Sequence, residues 1–531
     1  STLDRSSAAS DVYKRQIMSP RPAFDALQIS ALDNTATLLK SVRISDEVVV
    51  GGQTDVLRIK ALDDIPFGHK ISIRNIHSSD SIVKYGEVIG TASRDIPAGS
   101  HVHVQNVESN RGRGDMAEQN APASQLESCE EVFTPKVPDR PIINARSLCY
   151  RGYSRPDGSV GIRNLVGIIS CVACANDVVV HLSDIEGVAC FTHQQGCSQT
   201  KPDLALIAKV LTNLAKNPNL GAILYVSLGC ESVPTEEIVR QAKTFGKPVE
   251  FLLIQKEGGL TQTVEHAKAV VADLKQKIAA APTEHPFNTL KLGLKCGSSD
   301  TTQGLSANVI AGKITDIFTA AGASVVIGET TEFMGAEHIA ARRCVTSEVA
   351  QEIAKRVSEM EARAKAVGVD MRGGQPTRGN IDGGLTTIEE KSLGALAKAG
   401  SSIFQRVIAY GDNVRQPGLV MMDSPGREPE MLTGLAAAGC NLILFTTGRG
   451  APQGFPFVPV VKTTGNENTW QCLQEHIDCY VGKIMRGEES YADATQRLFD
   501  EIMLFINGDL TKAEQCRYNN SMNIYVTGPT I

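Results

Sequence analysis

Two hydrophobic patterns divide this chain. From about residue 28 to residue 107, short β-branched runs alternate with Gly turns and no apolar repeat of helical length appears, which predicts a small all-β module. From residue 152 onward, short apolar runs alternate with longer stretches of helical period, which predicts parallel strands joined by crossover helices. The chain is therefore expected to be an α/β protein preceded by an all-β module.

The same pattern gives bounds for individual elements. In the all-β module it predicts strands at 48–50, 57–59, 70–74, 82–84 and 101–107. In the α/β part it predicts helices at 202–216, 234–245, 261–278, 306–320, 347–366 and 491–506. The predicted strands of that part lie at 165–172, 187–191, 222–228, 249–254, 291–294, 324–327, 403–409, 419–422 and 442–445.

Composition suggests where these parts begin and end. Residues 1–27 are expected to be a disordered or non-native extension, because the first 17 are polar and patternless. Residues 28–107 form the all-β module, and the Arg-, Gly- and Pro-rich residues 108–146 form a linker. A polar stretch around Pro282 then separates a middle α/β domain at 147–287 from a C-terminal α/β domain at 288–531.

Charge and cysteine content exclude several classes of protein. A net charge of −6 and a pI near 6.0 give no basic surface for nucleic acid. No apolar run approaches the roughly 20 residues of a membrane-spanning helix. The 13 cysteines are an odd number without a small-domain disulfide spacing, which favours a reducing compartment and free or metal-binding thiols. A cytoplasmic protein without nucleic-acid or membrane partners is expected.

Chemically reactive side chains follow four predicted strands of the α/β part. In an open α/β sheet, ligands bind outside the carboxyl ends of the strands, so residues in these turns are expected to converge. One imidazole, three thiols and four carboxylates suit a divalent metal combined with proton transfer, which indicates an enzyme. These residues are His193, Cys197, Cys230, Glu231, Cys296, Asp300, Glu329 and Glu332.

Each of these side chains also has a structural alternative. His193 is either a general base or metal ligand, or a loop histidine bonded to the backbone. Glu231 is either a site carboxylate or an acid that stabilises a helix start. Glu329 and Glu332 either share a metal, divide acid and base roles, or are solvated. The three cysteines could instead hold an iron–sulfur cluster with one open iron.

Further candidates lie in Gly-rich turns and in the all-β module. The turn 297–302 presents successive backbone N–H groups to an anion, or is simply a Ser-rich helix cap. Arg449 could bind a substrate carboxylate with two hydrogen bonds. His101 and His103 lie at strand period two on one face, and with His69 they form either a metal or substrate site or a set of surface histidines.

Taken in order along the chain, these motifs resemble one known family. The chain is similar to the altronate and galactarate dehydratases, which are sugar-acid hydro-lyases with an N-terminal SAF (β-clip) domain. The resemblance runs from about residue 28 to the C-terminus and is closer to the altronate branch. It rests on GHK at 68–70, HVH at 101–103, GCSQ at 196–199, LGCE at 228–231, CGSSD at 296–300, GN at 379–380, KSLG at 391–394 and TGRG at 447–450.

The resemblance implies dehydration of an aldonic or aldaric acid, most simply D-altronate, to its 2-keto-3-deoxy acid. It implies Fe²⁺, Mn²⁺ or another divalent ion, with an iron–sulfur cluster as the less favoured choice, a Rossmann-like C-terminal domain and a homodimer. The alternatives are another sugar acid, a sulfo-lyase acting on a sulfonated hydroxy acid, and a non-catalytic sugar-acid-binding protein.

The resemblance also suggests roles for the candidate residues. His193 is expected to be the base, with Glu231, Asp300, Glu329 and Glu332 in metal or acid roles. The expected metal ligands are Cys197, Cys230, Cys296, His101 and His103. The expected substrate-binding residues are Gly297, Ser298, Ser299, Thr301, Asn380, Lys391, Arg449 and His69.

Overall fold

The computed structural model describes residues 24–52, 55–111, 139–368 and 374–531. The expected linker therefore falls largely outside the described residues, as does most of the expected N-terminal extension. The strand Ala26–Gln28 already belongs to the all-β module, and Ala26 is fully buried in its core. The extension expected to reach residue 27 thus ends earlier, because residues 26 and 27 pair with two neighbouring strands.

The N-terminal module consists of two small sheets. A six-stranded sheet has the order Leu57–Lys60, Glu47–Gly52, Ala26–Gln28, Thr35–Leu38, Lys70–Ser72 and His101–Val102. A three-stranded antiparallel sheet contains Ser81–Lys84, Glu87–Ala92 and Val107–Glu108. The single strand expected at 101–107 is wrong, because the Asn106 amide bonds back to His103 O at 2.9 Å and closes a turn between two short strands.

The middle domain is built on a four-stranded parallel sheet. Its order is Val188–Phe191, Leu165–Ser170, Leu220–Ser227 and Val249–Leu253. The strand Leu220–Ser227 is buried at every position, as expected for a strand covered by helices on both faces. The helices of this domain are Asn176–Val180, Lys201–Lys216, Thr235–Lys243, Ile254–Glu257 and Leu260–Lys277.

A separate three-stranded sheet links the two α/β domains. Cys149–Ser154 pairs antiparallel with Val160–Gly161 on one side and with Thr283–Pro286 on the other. The polar stretch after Pro282, expected only as a boundary, is therefore a paired strand.

The C-terminal domain contains a seven-stranded parallel sheet. Its order is Phe404–Ile408, Gly418–Met422, Ser324–Ile327, Lys291–Gly297, Leu442–Thr447, Val460–Thr464 and Cys479–Tyr480. Its helices are Thr301–Leu305, Ala307–Ala320, Glu337–Ala341, Ser347–Ala366, Arg378–Asp382, Ile388–Leu396, Glu428–Ala437, Glu467–Cys472, Tyr491–Ile506 and Lys512–Gln515.

The first strand of this sheet, Lys291–Gly297, determines where a ligand site is expected. The chain proceeds from it to Ser324–Ile327 on one side and later returns to Leu442–Thr447 on the other. Such a switch in strand order opens a crevice at the carboxyl ends of the strands. The strand-rich module followed by parallel α/β domains confirms the predicted fold class, and the Rossmann-like description of the last domain stays a prediction.

In the part of the chain that the structure describes, no helix combines the length and apolar character needed to cross a membrane.

Candidate active site

Three histidines of the N-terminal module face one another. His69 directly precedes the strand Lys70–Ser72, which pairs with His101–Val102, and His103 follows. His69 Nδ1 lies 3.0 Å from His101 Nε2, and the ring centroids of His69 and His103 are 4.5 Å apart. One ligand atom of each residue lies within 4.8 Å of the others, and no other such group of three occurs among the described residues. The structure thus brings together the three histidines that the sequence offered as one possible metal or substrate site.

These imidazoles have the properties of metal ligands. Burial lowers the pKa of all three, that of His101 to about 4 and that of His103 to about 3, so they are neutral and able to bind a metal near pH 7. His69 Nε2 donates to the carbonyl of Asp382 at 3.3 Å, which leaves Nδ1 free as a ligand. His103 Nδ1 is buried and has no hydrogen-bond partner in the described residues. The three nitrogens therefore fit a divalent cation.

The N-terminal module is docked on the C-terminal domain through a buried charge cluster. The Glu390 carboxylate accepts hydrogen bonds from Lys84 at 2.7 Å and from Lys70 at 2.9 Å. Lys70 also donates to the carbonyl of Gly384 at 2.8 Å. The side chains of Lys70 and Glu390 are fully buried and that of Lys84 is 2% exposed. Through these contacts the histidine triad is held beside the segment 379–384.

The segment 379–384 borders the crevice at the carboxyl end of Lys291–Gly297. Asn380 donates to the carbonyl of Ser299 at 2.8 Å, and Thr301 donates to the carbonyl of Gly383 at 3.1 Å. The Arg449 amide donates to the carbonyl of Ser298 at 2.9 Å. The structure therefore brings the expected substrate-binding turn, Asn380 and Arg449 to one place.

Arg449 is an exposed cation beside this crevice. Its side chain is 46% exposed and lies 3.7 Å from the Asp382 carboxylate, while its guanidinium donates to the carbonyl of Gly379 at 2.6 Å. Ser298 has a φ of 48°, so the turn presents its backbone in an uncommon left-handed conformation. The exposed Arg449 guanidinium could therefore pair with an anionic group in the crevice.

Asp300 caps a helix at the bottom of the crevice. Its carboxylate accepts from the Thr302 amide at 2.9 Å and from Asn466 Nδ2 at 2.7 Å, and burial raises its pKa. A Cβ on Gly448 would lie 2.4 Å from the Asp300 side chain, so only Gly allows this approach. Both carboxylate oxygens of Asp300 are therefore bonded to neighbouring residues and hold the turn in its conformation. The expected acid or metal role of Asp300 stays a prediction.

A small internal cavity lies between the N-terminal module and the turn 297–302. Its lining includes Tyr85, Cys296, Ser299, Asp300, Gln303 and Lys391. The Tyr85 hydroxyl is buried and interacts with the Lys84 ammonium. Burial raises the pKa of Tyr85, and the nearby Lys84 ammonium partly opposes that rise. Tyr85 is not among the residues that the sequence pattern predicts for the site.

Glu329 and Glu332 form a buried network with two lysines. Glu329 accepts from Lys398 at 3.1 Å and from the Cys296 amide at 2.9 Å, and it also pairs with Lys295. Glu332 pairs with Lys398. Burial alone would raise the pKa of both acids, but the two lysines hold that of Glu329 below its usual value while that of Glu332 stays raised.

This network lies behind the crevice wall that Cys296 forms. Both carboxylates are at most 4% exposed, and their expected metal, acid or base roles stay predictions.

Both ring nitrogens of His193 form hydrogen bonds with the backbone. It is 1% exposed, its Nε2 donates to Ser170 O at 2.9 Å, and its Nδ1 accepts from the Gln195 amide at 3.1 Å. Burial lowers its pKa to about 4. Because both ring nitrogens are engaged, the geometry favours the alternative of a loop histidine bonded to the backbone, and the expected role of His193 as the base stays a prediction.

The three cysteines expected as metal ligands lie in two different domains. Cys197 and Cys230 are exposed on turns of the middle domain, whereas Cys296 is buried in the C-terminal domain. Glu231, next to Cys230, accepts from the Gly229 amide at 2.7 Å and from Thr235 Oγ1 at 3.0 Å, at the start of the helix Thr235–Lys243. The three thiols therefore do not share one strand edge, because their strands belong to two different sheets, and their expected metal roles stay predictions.

The histidine triad of the N-terminal module lies beside the crevice at the carboxyl end of Lys291–Gly297 in the C-terminal domain. This arrangement is that of an α/β enzyme whose site is built by two domains. Three family models match the chain in succession. They are the SAF domain of altronate/galactarate dehydratases at 24–110, the second domain of D-galactarate dehydratase/altronate hydrolase at 152–279, and the C-terminal domain of D-galactarate/altronate dehydratases at 287–530. The chain therefore belongs to the altronate/galactarate dehydratase family and is a hydro-lyase.

Curated relatives agree with this assignment and favour the altronate branch. The altronate dehydratase of Bacillus subtilis (strain 168) is 32% identical over 522 residues, which cover 95% of this chain and 99% of the relative. That of Escherichia coli (strain K12) is 31% identical over 521 residues, with the same coverage. The (2R)-sulfolactate sulfo-lyase subunit beta of Chromohalobacter salexigens is 35% identical over 371 residues, or 69% of this chain and 94% of the relative.

Proposed function

We propose that this protein dehydrates a sugar acid, with D-altronate as the first candidate, to the corresponding 2-keto-3-deoxy acid. The observation that carries the proposal is the docking of three neutral imidazoles beside a crevice with an exposed Arg449. The altronate dehydratase relatives, which match over nearly their whole length, support the substrate. Galactarate and other aldonic or aldaric acids are the alternatives within the same chemistry.

His69, His101 and His103 would hold the divalent cation. Imidazole nitrogens suit Fe²⁺ better than they suit Mn²⁺ or Mg²⁺, which favour oxygen ligands. When bound, the cation supplies Lewis-acid stabilisation for charge that develops on the substrate carboxylate and hydroxyl oxygens. Three protein ligands leave coordination positions free for such oxygens.

Arg449 and the turn at 297–302 would orient the substrate. The Arg449 guanidinium is held by the carbonyl of Gly379, and its exposed edge can meet a carboxylate with two hydrogen bonds. Asn380, which fixes the carbonyl of Ser299, keeps the turn in place. These residues determine which carbon of the acid faces the histidine triad.

Tyr85 is proposed as the group that protonates the departing hydroxyl. Its raised pKa keeps the phenol protonated near pH 7, as a proton donor requires. The Lys84 ammonium, 4.9 Å from the ring centroid, would stabilise the phenolate left after transfer. The hydroxyl lies at the cavity that Ser299 and Asp300 also line, where it could bond to a substrate oxygen.

An anaerobic assay of purified protein tests the proposal. D-Altronate, galactarate and other aldonic acids are supplied with Fe²⁺ and then with chelator, and 2-keto-3-deoxy acid is measured. We expect iron-dependent product from one acid, abolished in His101→Ala. Sulfite release from (2R)-sulfolactate instead would support the sulfo-lyase alternative, and no product from any acid would refute the proposal. A homodimer is proposed from the resemblance alone, and sedimentation velocity tests it.

A further inference from the structure

Three exposed cysteines follow three neighbouring strands of the middle domain. Cys174 follows Leu165–Ser170, Cys197 follows Val188–Phe191, and Cys230 follows Leu220–Ser227. In the sheet, Leu165–Ser170 lies between the other two strands and all three run parallel. All three thiols are free and exposed. They therefore share the carboxyl edge of one sheet, where α/β domains bind ligands, and the proposed dehydration uses none of them.

Backbone contacts hold the three turns against one another. The Ala173 amide donates to the carbonyl of Gln195 at 3.0 Å, which ties the first turn to the second. The Ser232 and Val233 amides donate to the carbonyl of Gly196 at 3.0 and 3.1 Å, which ties the third turn to the second. The cysteines are thus carried by one rigid arrangement of turns.

Gly196 is required at the centre of this arrangement. It has a φ of 112°, and a Cβ there would lie 2.7 Å from the carbonyl oxygen of Cys171. No side chain other than that of Gly allows the second turn to approach the first so closely. The Cys197 sulfur then lies 3.9 Å from Ser232 Oγ, which donates to it, so the thiol of the second turn faces the third turn.

The positions of possible ligand atoms argue against a single metal ion at these three turns. A single tetrahedral ion at about 2.3 Å from each sulfur keeps its thiolates roughly 4 Å apart. No three ligand atoms of His, Cys, Asp or Glu outside the histidine triad lie within 4.8 Å of one another in the described residues. An iron–sulfur cluster places a separate iron under each cysteine and so keeps the thiolates farther apart.

From this arrangement we infer that the carboxyl edge of the middle sheet binds an iron–sulfur cluster through Cys174, Cys197 and Cys230. One iron of the cluster has no cysteine ligand from these three turns and is open to a small oxygen ligand. Cys171 lies in the core beneath the edge and is fully buried, so it is not among the three ligands. This centre is separate from the histidine triad and does not depend on the proposed substrate.

Anaerobic reconstitution of the full-length protein tests the inference. The protein is incubated with ferric iron, sulfide and a dithiol that reduces part of the iron, desalted, and analysed for iron, acid-labile sulfide, visible absorption and Mössbauer signal. Wild-type protein is expected to gain a broad visible band and to retain iron and sulfide in nearly equal amounts. The variant Cys174→Ser/Cys197→Ser/Cys230→Ser is expected to lose at least about nine-tenths of both, with an unchanged far-UV circular dichroism spectrum.

Two controls separate this centre from other effects. Cys149→Ser/Cys472→Ser/Cys516→Ser removes three exposed thiols elsewhere and should keep the cluster, as should His101→Ala. If the triple variant does not fold, each single variant at 174, 197 and 230 must still lower bound sulfide. Absence of a sulfide-dependent band in wild-type protein, or its retention in the triple variant, would overturn the inference even if dehydration is observed.

Discussion

Replacing Glu390 by Gln should loosen the N-terminal module from the C-terminal domain. In the wild-type protein the carboxylate lies between two buried ammonium groups, those of Lys70 and Lys84. It also accepts from the amide and the hydroxyl of Thr386 at 2.9 and 2.7 Å. Glutamine preserves the size of the side chain but leaves two buried positive charges without a negative partner.

The expected cost follows from the burial of the cluster. Removing one partner of a buried ion pair costs roughly 3–5 kcal/mol, because the remaining charge is left uncompensated. An exposed ion pair is worth about 0–1 kcal/mol. Glu87, which pairs with His338 and Arg342 across the same interface, has a 30% exposed side chain, so Glu87→Gln is a matched control and should change little.

Urea unfolding followed by circular dichroism and by the fluorescence of Trp470 measures this effect. We expect Glu390→Gln to unfold at clearly lower urea than wild type, and dehydration to fall because the histidine triad is no longer held at the crevice. Adding Lys70→Met and Lys84→Met to a Glu390→Leu variant should recover stability, since a buried apolar cluster replaces the ion pairs. Equal unfolding midpoints for Glu390→Gln and Glu87→Gln would refute this reasoning.

The difference between wild type and Glu390→Gln should also depend on pH. Burial alone would raise the pKa of Glu390, but Lys70 and Lys84 outweigh it and hold the value far below the usual 4.5. A group with a depressed folded pKa stabilises fully above its unfolded pKa and loses this contribution as pH falls toward the folded value. The difference in unfolding midpoint should therefore be constant from about pH 6 to pH 7 and shrink below about pH 4.5.

Four further substitutions test the site. His103→Ala should weaken Fe²⁺ binding by more than about tenfold by calorimetry, since outer contacts of metal ligands are already worth that much. Tyr85→Phe should lower kcat by about 10²–10⁴ with little change in KM, as the loss of a general acid does. Arg449→Lys should raise KM for the acid by about tenfold, because lysine lacks the planar two-donor edge. His193→Ala should keep most of the turnover but lower the free energy of unfolding by about 1–3 kcal/mol, because it leaves the carbonyl of Ser170 unpaired.

Local pattern was sufficient to predict many elements of the fold. The helices Ser347–Ala366 and Tyr491–Ile506 have the bounds that the apolar repeat predicts, because one face of each packs on the core. The segment at 101–107 was misassigned since its alternating residues include Asn106, whose side chain bonds to the carbonyl of His101 at 2.9 Å. That turn depends on a side-chain hydrogen bond, which cannot be predicted from the spacing of hydrophobic residues.

The candidate site was predictable only in part. The ends of strands come together when the strands belong to the same sheet, and the sequence does not show which strands share a sheet. His193, Cys197 and Cys230 end strands of the middle sheet, whereas Asp300 and Glu329 end strands of the C-terminal sheet. Sequence alone placed them in one crevice because it does not reveal which strands pair. The role of Glu390 was not predictable from local sequence, since its lysine partners lie 306 and 320 residues away in the chain.

The buried Lys–Glu–Lys cluster also explains how the site is kept in register. An apolar interface tolerates several docked orientations, whereas buried charges are satisfied only when each ammonium meets its carboxylate. Lys70 directly follows His69, so the orientation that pairs Lys70 with Glu390 also brings His69 to the carbonyl of Asp382. A single docking geometry thus pairs the buried charges and turns Nδ1 of His69 toward the other two histidines of the triad. It follows that substitutions in the cluster should impair metal binding and dehydration together, even though Glu390 belongs to neither the triad nor the substrate turn.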